Sequence, residues 1–251
     1  MAVVIPLVFL GGVAAFLLCR CTWWWPCWPA DVPAFLMLHS VASEIVDPTC
    51  PNNTIRPDEL ERLIVRLKRR GYAFRTFSEA VAKPGVRSVV LTFDDGYVDN
   101  YETLLPILIR QQVPATCFVT SRGESDARFL SPAQIRAMAE SGLVEIGGHT
   151  ASHSVLDRIS PEEARREIVE NKLWLEKIVG KDVTAFAYPC GGENDTVVQL
   201  VRDAGYLCAA AMVKKMLPPA TDAYRIHRQI IPRGLKTWQA YLLATRGKWK
   251  I

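Results

Sequence analysis

The feature that most constrains the fold of this 251-residue chain is a regular alternation of short apolar runs with amphipathic stretches from residue 33 onward. Short apolar runs are typical of buried strands, and the amphipathic stretches between them are typical of helices, so the pattern indicates consecutive β/α units. We predict strands near Ala34–Leu38, Tyr72–Thr76, Ser88–Phe93, Ala115–Val119, Val144–Gly147, Thr184–Tyr188, Leu207–Met212 and Gln229–Ile231. The sequence therefore predicts an α/β fold, a (β/α) barrel of about seven strands.

Helices are predicted between these strands. Leu60, Leu63, Ile64 and Leu67 fall at helical spacing, and the pairs Ser131-Pro132 and Ser160-Pro161 are typical of a capping residue followed by the first helical residue. Trp238 and Tyr241 predict a last barrel helix followed by a solvated basic tail, with contact to anionic lipid as the alternative. We find no internal repeat or linker, so residues 31–251 are predicted to form one catalytic domain.

The first 30 residues differ from the rest in composition. Ala2–Leu18 is a run of 17 residues without charge, and Trp23, Trp24, Trp25 and Trp28 follow it. As a helix the run is about 26 Å long, close to the apolar thickness of a bilayer, and the tryptophans suit an interfacial belt. We predict that residues 1–30 form an N-terminal hydrophobic helix retained as a transmembrane or signal-anchor segment; a cleaved signal peptide and a buried core helix are the alternatives.

A single charged residue in the sequence bears on the orientation of this segment in the membrane. Arg20 is the only side-chain charge beside the apolar run, and the positive-inside tendency would place it, with the barrel, in the cytoplasm. This single charge does not fix the orientation. We expect a membrane-anchored protein whose barrel is extracytoplasmic, in the periplasm or at the cell surface.

Charge and cysteine content exclude several classes of protein. The net charge of +4 is small and dispersed, so no nucleic-acid partner is expected, and nothing predicts a protein partner. The seven cysteines are odd in number and lack paired CxxC spacing. A disulfide framework and a structural zinc finger are therefore both disfavoured.

Polar residues follow four of the predicted strands at the point where each strand ends. They are His39 after the first strand, Asp94-Asp95-Gly96 after Ser88–Phe93, His149 and His153 after Val144–Gly147, and Pro189-Cys190-Gly191-Gly192 after Thr184–Tyr188. Barrels of β/α units build their active sites at the carboxyl ends of the strands. We therefore expect these side chains to share one site.

The chemistry of this set favours a metal. Two adjacent carboxylates cannot both stay ionised at close range without a cation, and His149 and His153 can bind one ion together with one aspartate. Such a site leaves coordination positions open, and the second aspartate is free to act as a base. The alternative is that the aspartates cap a helix and the histidines are ordinary loop residues.

At these residues the chain resembles the polysaccharide deacetylases, the carbohydrate esterase family that shares the NodB homology domain. Thr92-Phe93-Asp94-Asp95-Gly96 matches the first motif of that family, and His149-Thr150-Ala151-Ser152-His153 matches the second. The resemblance extends over roughly residues 33 to 240. It implies a deformed (β/α) barrel and metal-dependent hydrolysis of N-acetyl groups on amino sugars.

The resemblance also implies roles for individual residues. Asp95, His149 and His153 would bind the divalent metal, for which Zn²⁺ is the first expectation, and Asp94 would be the general base that acts on a metal-activated water. The third motif corresponds to Tyr188, Pro189 and Cys190, which would bind substrate, and the backbone N–H of Cys190 would stabilise the oxyanion.

The third motif departs from the family pattern. Ala187 stands where an arginine usually orients the base, so the sequence leaves open what orients Asp94. Cys190 replaces the usual aromatic residue, as a small substitute or, alternatively, as an extra metal ligand. The sequence Phe186-Ala187-Tyr188-Pro189 resembles that of the poly-N-acetylglucosamine deacetylase branch.

The general acid is predicted to be a histidine. In the poly-N-acetylglucosamine branch the barrel is circularly permuted and the strand that carries the acid comes first, which places Met37-Leu38-His39 in the matching position. We therefore predict His39 as the acid. His227, flanked by Arg225 and Arg228, is the second candidate, for which a solvated surface position is the alternative.

The resulting hypothesis is a membrane-anchored, metal-dependent N-deacetylase whose substrate is an N-acetylated glycan of the cell envelope. A deacetylase or deformylase of a lipid-linked amino sugar, that is a glycolipid, is the first alternative. A catalytically silent sugar-binding barrel, suggested by the departures in the third motif, is the second.

Overall fold

The computed structural model describes residues 32–121, 126–212 and 222–246, and it is an α/β barrel. The strands are β1 (Ala34–Leu38), β2 (Ser40–Val41), β3 (Thr54–Ile55), β4 (Ala73–Phe74), β5 (Ser88–Phe93), β6 (Ala115–Val119), β7 (Val144–Gly148), β8 (Ala185–Ala187), β9 (Cys208–Met212) and β10 (Ile226–Ile230). The helices are α1 (Pro57–Arg69), α2 (Phe77–Ala82), α3 (Leu105–Gln111), α4 (Pro132–Glu140), α5 (Pro161–Val179), α6 (Asp195–Asp203) and α7 (Thr237–Arg246).

The predicted membrane segment, residues 1–30, lies outside the described residues and stays a prediction. Within the three described ranges, no helix combines the length and the apolar character that crossing a bilayer requires.

Seven parallel strands close the barrel. Their order is β1-β10-β9-β8-β7-β6-β5, and β5 pairs again with β1. The pairing of β1 with β5 runs from Ala34–Val89 to Leu38–Phe93, while β4 lies beside the first residues of β5 as an eighth strand. Strands β2 and β3 form a separate parallel pair. The predicted barrel of about seven strands is confirmed.

Burial on both faces explains the sequence of the central strands. All six residues of β5 are buried, as expected for a parallel strand with helices outside and a filled interior. Inside the barrel, the ring of Phe77 makes edge-to-face contacts with Phe35 and Phe118 at centroid distances of 5.3 and 5.5 Å. These rings close the interior below the carboxyl ends of the strands, so the open end of the barrel is the end where the strands finish.

The helix starts agree with the predicted caps. Ser131 accepts a hydrogen bond from the Gln134 N–H at 3.4 Å, and Ser160 accepts one from the Glu163 N–H at 3.2 Å. Each serine precedes a proline at the first helical position, where the missing N–H costs nothing.

Strand β10 is the main difference from the prediction, because it begins at Ile226 and not at Gln229. The segment Ile226-His227-Arg228 is charged and lacks the apolar character on which the prediction depended. It is a strand because it pairs in parallel with β9, where Ile226 lies opposite Ala210.

Candidate active site

The polar residues predicted from the strand ends lie at one end of the barrel. Strand β5 ends before Asp94 and Asp95, β7 ends before His149, and β1 ends before His39. Because the strands are parallel and the barrel is closed, these ends meet around a single opening.

Asp95, His149 and His153 form one cluster there. One ligand atom of each residue lies within 4.8 Å of the others. The Nε2 atoms of His149 and His153 lie 3.4 and 3.1 Å from Asp95 Oδ1. The side chain of His149 is 2% exposed and that of His153 is 24% exposed, so the cluster is reached from one side only.

The donor atoms of this cluster suit a divalent metal ion. Asp95 Oδ1 is buried and, among the described residues, has no hydrogen-bond partner, although it faces two imidazole nitrogens. Burial raises the pKa of Asp95, but His149 and His153 outweigh it and hold the pKa well below its usual range. An ionised carboxylate between two imidazoles is the donor set that Zn²⁺ and related ions bind.

Hydrogen bonds around His149 fix the orientation of its ring. Its Nδ1 lies 2.8 Å from the carbonyl oxygen of Ala187, which leaves Nε2 to face Asp95. Its backbone N–H donates to Asn171 Oδ1 at 3.0 Å, while the Asn171 amide donates to the carbonyl of Val119 and to Ser121 Oγ. Such outer contacts set the tautomer and direction of a metal-binding histidine.

Helix α5 also holds the turn between the two histidines. The Glu167 carboxylate accepts hydrogen bonds from the backbone N–H and the hydroxyl of Ser152, both at 2.8 Å. Thr150 and His153 have φ values of 63° and 66°, in the left-handed region that costs a non-glycine residue free energy. The hydrogen bonds to Glu167 and the packing of α5 keep this turn in place.

Sequence reasoning missed both of these supporting residues on α5. Asn171 is fully buried and lies three residues after Ile168 and four before Leu175, on the apolar face of the helix. A polar residue on a buried helical face needs a partner, and that position was the available signal.

Asp94 lies beside this cluster and forms a buried ion pair with Arg228 of β10. The guanidinium donates from Nη1 to Oδ1 at 2.6 Å and from Nη2 to Oδ2 at 2.8 Å. Arg228 also donates to Thr92 Oγ1 at 2.9 Å and lies 5.3 Å from the ring centroid of Phe118. A bidentate pair of this kind fixes the plane of the carboxylate as well as its charge.

The Asp94–Arg228 pair shows what orients Asp94 in a chain that has Ala187 in place of the usual arginine. Burial raises the pKa of Asp94, but the charges of Arg228 and His149 outweigh it, so the pKa lies below its usual range. Arg228, and not a residue of the third motif, is the cation that orients Asp94. From the sequence, Arg228 was predicted only as a neighbour of His227, because the predicted strand began three residues after the start of β10.

The two candidate acids lie in different places. Side chains alternate along a strand, and Ile226 of β10 packs in the barrel interior, so Arg228 points inward while His227 lies on the opposite face. His39 lies half-buried at the end of β1, and its carbonyl accepts a hydrogen bond from Asn100 Nδ2 at 2.9 Å.

The charges of the site act on the pKa of His39. Burial lowers its pKa, and the carboxylates of Asp94 and Asp95 offset part of that effect. The structure therefore brings His39 into the same group as the aspartates. It does not bring His227 there.

The third-motif residues divide between the core and the opening. Tyr188 is 1% exposed and its hydroxyl donates to the Tyr224 carbonyl at 3.1 Å, so its side chain belongs to the core and not to a substrate site. Pro189 is also buried. The Tyr188 ring packs against Phe186, so a role of Tyr188 in substrate binding, which stays a prediction, would fall to its backbone.

Cys190 is exposed beside the cluster, in a turn where its φ is 53°. Burial and the nearby Asp95 carboxylate raise the pKa of its thiol, which favours the neutral form. Within the described residues, the group with converging ligand atoms contains Asp95, His149 and His153 and not Cys190. This arrangement favours Cys190 as a small substitute over Cys190 as an extra ligand.

Comparison with known proteins adds independent support. Residues 82–209 match the family model for polysaccharide deacetylase. YxkH of Bacillus subtilis, whose name assigns it to the polysaccharide deacetylases, is 27% identical over 215 residues, covering 82% of this chain and 74% of YxkH. The poly-β-1,6-N-acetyl-D-glucosamine N-deacetylase of Staphylococcus epidermidis is 26% identical over 230 residues, covering 82% of this chain and 78% of that protein.

Among solved structures, the Streptococcus pyogenes deacetylase PplD in complex with acetate superimposes with a TM-score of 0.75 and 25% identity. The match covers 86% of this chain and 98% of PplD. The barrel, the two motifs at its open end and these similarities agree on a hydrolase of N-acetyl amide bonds. The chain belongs to the polysaccharide deacetylase family.

Proposed function

We propose that this protein is a metal-dependent N-deacetylase that removes acetyl groups from an N-acetylhexosamine polymer of the poly-N-acetylglucosamine type. The observation that carries the proposal is the bidentate pair of Asp94 and Arg228 directly beside the cluster of Asp95, His149 and His153. The name of the Staphylococcus epidermidis relative supports the substrate class.

Hydrolysis of the amide consumes one water and yields acetate and a free amine. Asp95, His149 and His153 would hold a divalent ion, and such an ion supplies a more acidic water and a polarised carbonyl when bound. Asp94 would accept the proton of the attacking water at the carboxylate that Arg228 fixes. The amine is a poor leaving group until it is protonated, and His39 would supply that proton as the C–N bond breaks.

Arg228 holds Asp94 ionised and in one orientation, and both conditions are needed for a base. Two donors in one plane prevent rotation of the carboxylate, while the positive charge offsets the cost of burying it. The backbone N–H of Cys190 would stabilise the negative charge that develops on the carbonyl oxygen.

The Asp94–Arg228 pair also argues against the alternative of a catalytically silent sugar-binding barrel. That alternative depended on the arginine missing at Ala187 and on the aromatic residue missing at Cys190. Arg228 supplies the equivalent charge from β10. A binding module needs neither an oriented buried carboxylate nor a metal cluster beside it. We therefore favour an enzyme.

We also propose, from the sequence of residues 1–30, that the enzyme is anchored to a membrane with its barrel on the extracytoplasmic side. A glycan of the cell envelope would then be within reach of the opening. Residues 1–30 lie outside the described residues, so the proposed anchor rests on the sequence alone.

The test is release of acetate from N-acetylglucosamine oligomers. We expect the full chain to release acetate, and we expect both Asp94→Asn and complete chelation to reduce the rate at least about 10²-fold, with Zn²⁺ restoring the chelated enzyme. Asp182→Asn, an exposed carboxylate before β8, is the matched control and should leave the rate unchanged. Full activity of Asp94→Asn, or of the chelated protein, would contradict the mechanism.

A further inference from the structure

The groove between helices α1 and α7 is a surface that the proposed reaction does not use. It encloses about 800 Å³ and is lined mainly by the exposed face of α1, with Thr237 at the start of α7. The cationic residues in this lining are Arg62, Arg66, Arg69 and Arg70. We call this surface the α1–α7 groove.

The two carboxylates of the groove already have cationic partners. Asp58 forms an ion pair with Arg62 at 2.8 Å, one turn along α1. Glu61 forms an ion pair with Arg110 of α3 at 3.3 Å. Neither acid is therefore free to neutralise the arginines at the end of α1.

Arg66, Arg69 and Arg70 lie at the end of α1. Over the described ranges, Arg66, Arg69 and Arg70 form no ion pair with a carboxylate. The guanidinium groups of Arg66 and Arg70 lie 5.0 and 5.7 Å from the ring centroid of Tyr241, a contact that holds them in place without neutralising them. The Nε of Arg66 is buried without a hydrogen-bond partner in the same part of the chain.

The groove runs along the side of the barrel, from the first turn of α1 at Asp58 to Arg70 just after its last turn. Helix α1 runs opposite to the strands, so its last turn lies at the end of the barrel where the strands begin. Strand β1 also begins at this end, at Ala34.

The turns at the same end are mostly basic. The charged residues in the turns that lead into β4 to β9 are Arg70, Lys83, Arg87, Lys181 and, as the one acid, Asp182. The opposite end carries the aspartates of the candidate site. Arg69 and Arg70 at the end of α1 therefore lie at the same end as these basic turns, while the turn into β10 carries Asp222 and Arg225.

We propose that the α1–α7 groove docks against the headgroups of anionic phospholipids, an inference that rests on the proposed membrane anchor. Positive charge without protein counterions attracts an anionic membrane surface, with each basic residue near it favouring binding about fivefold. Trp238, 42% exposed beside Thr237, and Val65, 39% exposed on α1, add the aromatic and apolar groups that suit an interface.

The experiment measures hydrogen exchange of the full chain reconstituted in bilayer nanodiscs. One set of discs contains phosphatidylcholine only, and the other contains about one third phosphatidylglycerol. In the anionic discs we expect amides of residues 64–72 and 237–245 to exchange at least about fivefold more slowly, and high salt to remove this protection.

Substitutions test whether the arginines of the α1–α7 groove cause the protection from hydrogen exchange. Combined Arg66→Gln, Arg69→Gln and Arg70→Gln should abolish the protection, and the corresponding lysine substitutions should retain it. The matched control removes three exposed charges from α5 through Arg165→Gln, Arg166→Gln and Lys177→Gln, and it should behave like the original protein. Far-UV circular dichroism and urea unfolding show that each variant is folded, which keeps this test separate from that of the proposed function.

Three results would overturn the proposal. One is equal exchange in neutral and anionic discs. Another is protection that survives the triple glutamine substitution. The third is equal protection by millimolar inorganic phosphate in neutral discs, which would indicate a site for a free anion.

Discussion

Replacing Arg228 by methionine tests how the candidate site is held together. Methionine fills much of the same volume without charge, so Asp94, 3% exposed, is left buried without a cation. Arg228 makes two hydrogen bonds to Asp94 and one to Thr92. Removing one partner of a buried ion pair costs about 3–5 kcal/mol. We expect Arg228→Met to lose that much unfolding free energy and to release acetate about 10²- to 10⁴-fold more slowly.

The pH dependence of this loss follows from the pKa of Asp94. In the native protein that pKa lies below its usual range, so the carboxylate stabilises the fold above about pH 4 and the contribution is lost as the pH falls through the folded pKa. Without Arg228 the burial remains and raises the pKa, so ionisation opposes folding. The stability difference between the two proteins is therefore largest at neutral pH and shrinks in acid.

The assay is urea unfolding with a chelator present, at neutral and acidic pH, together with acetate release from N-acetylglucosamine oligomers. Arg225→Met is the matched control, because Arg225 forms part-exposed ion pairs with Glu193 and Asp195, worth about 0–1 kcal/mol. If Arg228→Met behaved like Arg225→Met in both measurements, the argument for an oriented, ionised Asp94 would be refuted.

Three further predictions concern the residues around the site. His39→Gln should slow acetate release about 10²- to 10⁴-fold, whereas His227→Gln should change it less than about threefold; equal effects would contradict the assignment of the acid. Asn171→Leu should weaken zinc binding about 10- to 100-fold in a competition titration, because the backbone of His149 loses its acceptor; unchanged affinity would refute this support. Gly148→Ala should lower the unfolding free energy by about 1–3 kcal/mol, since a Cβ there collides with the Tyr206 hydroxyl, and Tyr206→Phe should restore part of the loss in urea unfolding.

The sequence predicted the fold well where local pattern and tertiary role agree. Strands β1, β5 and β6 are apolar and end where predicted, and their parallel arrangement brings the motif residues together. Asp94, Asp95 and the two histidines after β7 were found for that reason. A residue at a strand end can be placed from the order of the strands alone.

Arg228 was missed because its role depends on a partner far away in the chain. It is separated from Asp94 by 134 residues, and the segment around it is too polar to be predicted as a buried strand. An arginine is stable inside a barrel only when a carboxylate meets it there. Periodicity contains no information about such a pair.

The position of β1 has a consequence for how the protein matures. This strand is synthesised early, and it pairs with β5 soon after, but its other neighbour is β10, with Met37 opposite Ile230. Contacts of such long sequence separation form late in folding. The barrel cannot close until residue 230 has emerged from the ribosome, and the same strand delivers Arg228 to Asp94. Barrel closure and formation of the Asp94–Arg228 pair thus depend on the same strand, and we expect a nascent chain that ends short of β10 to lack both.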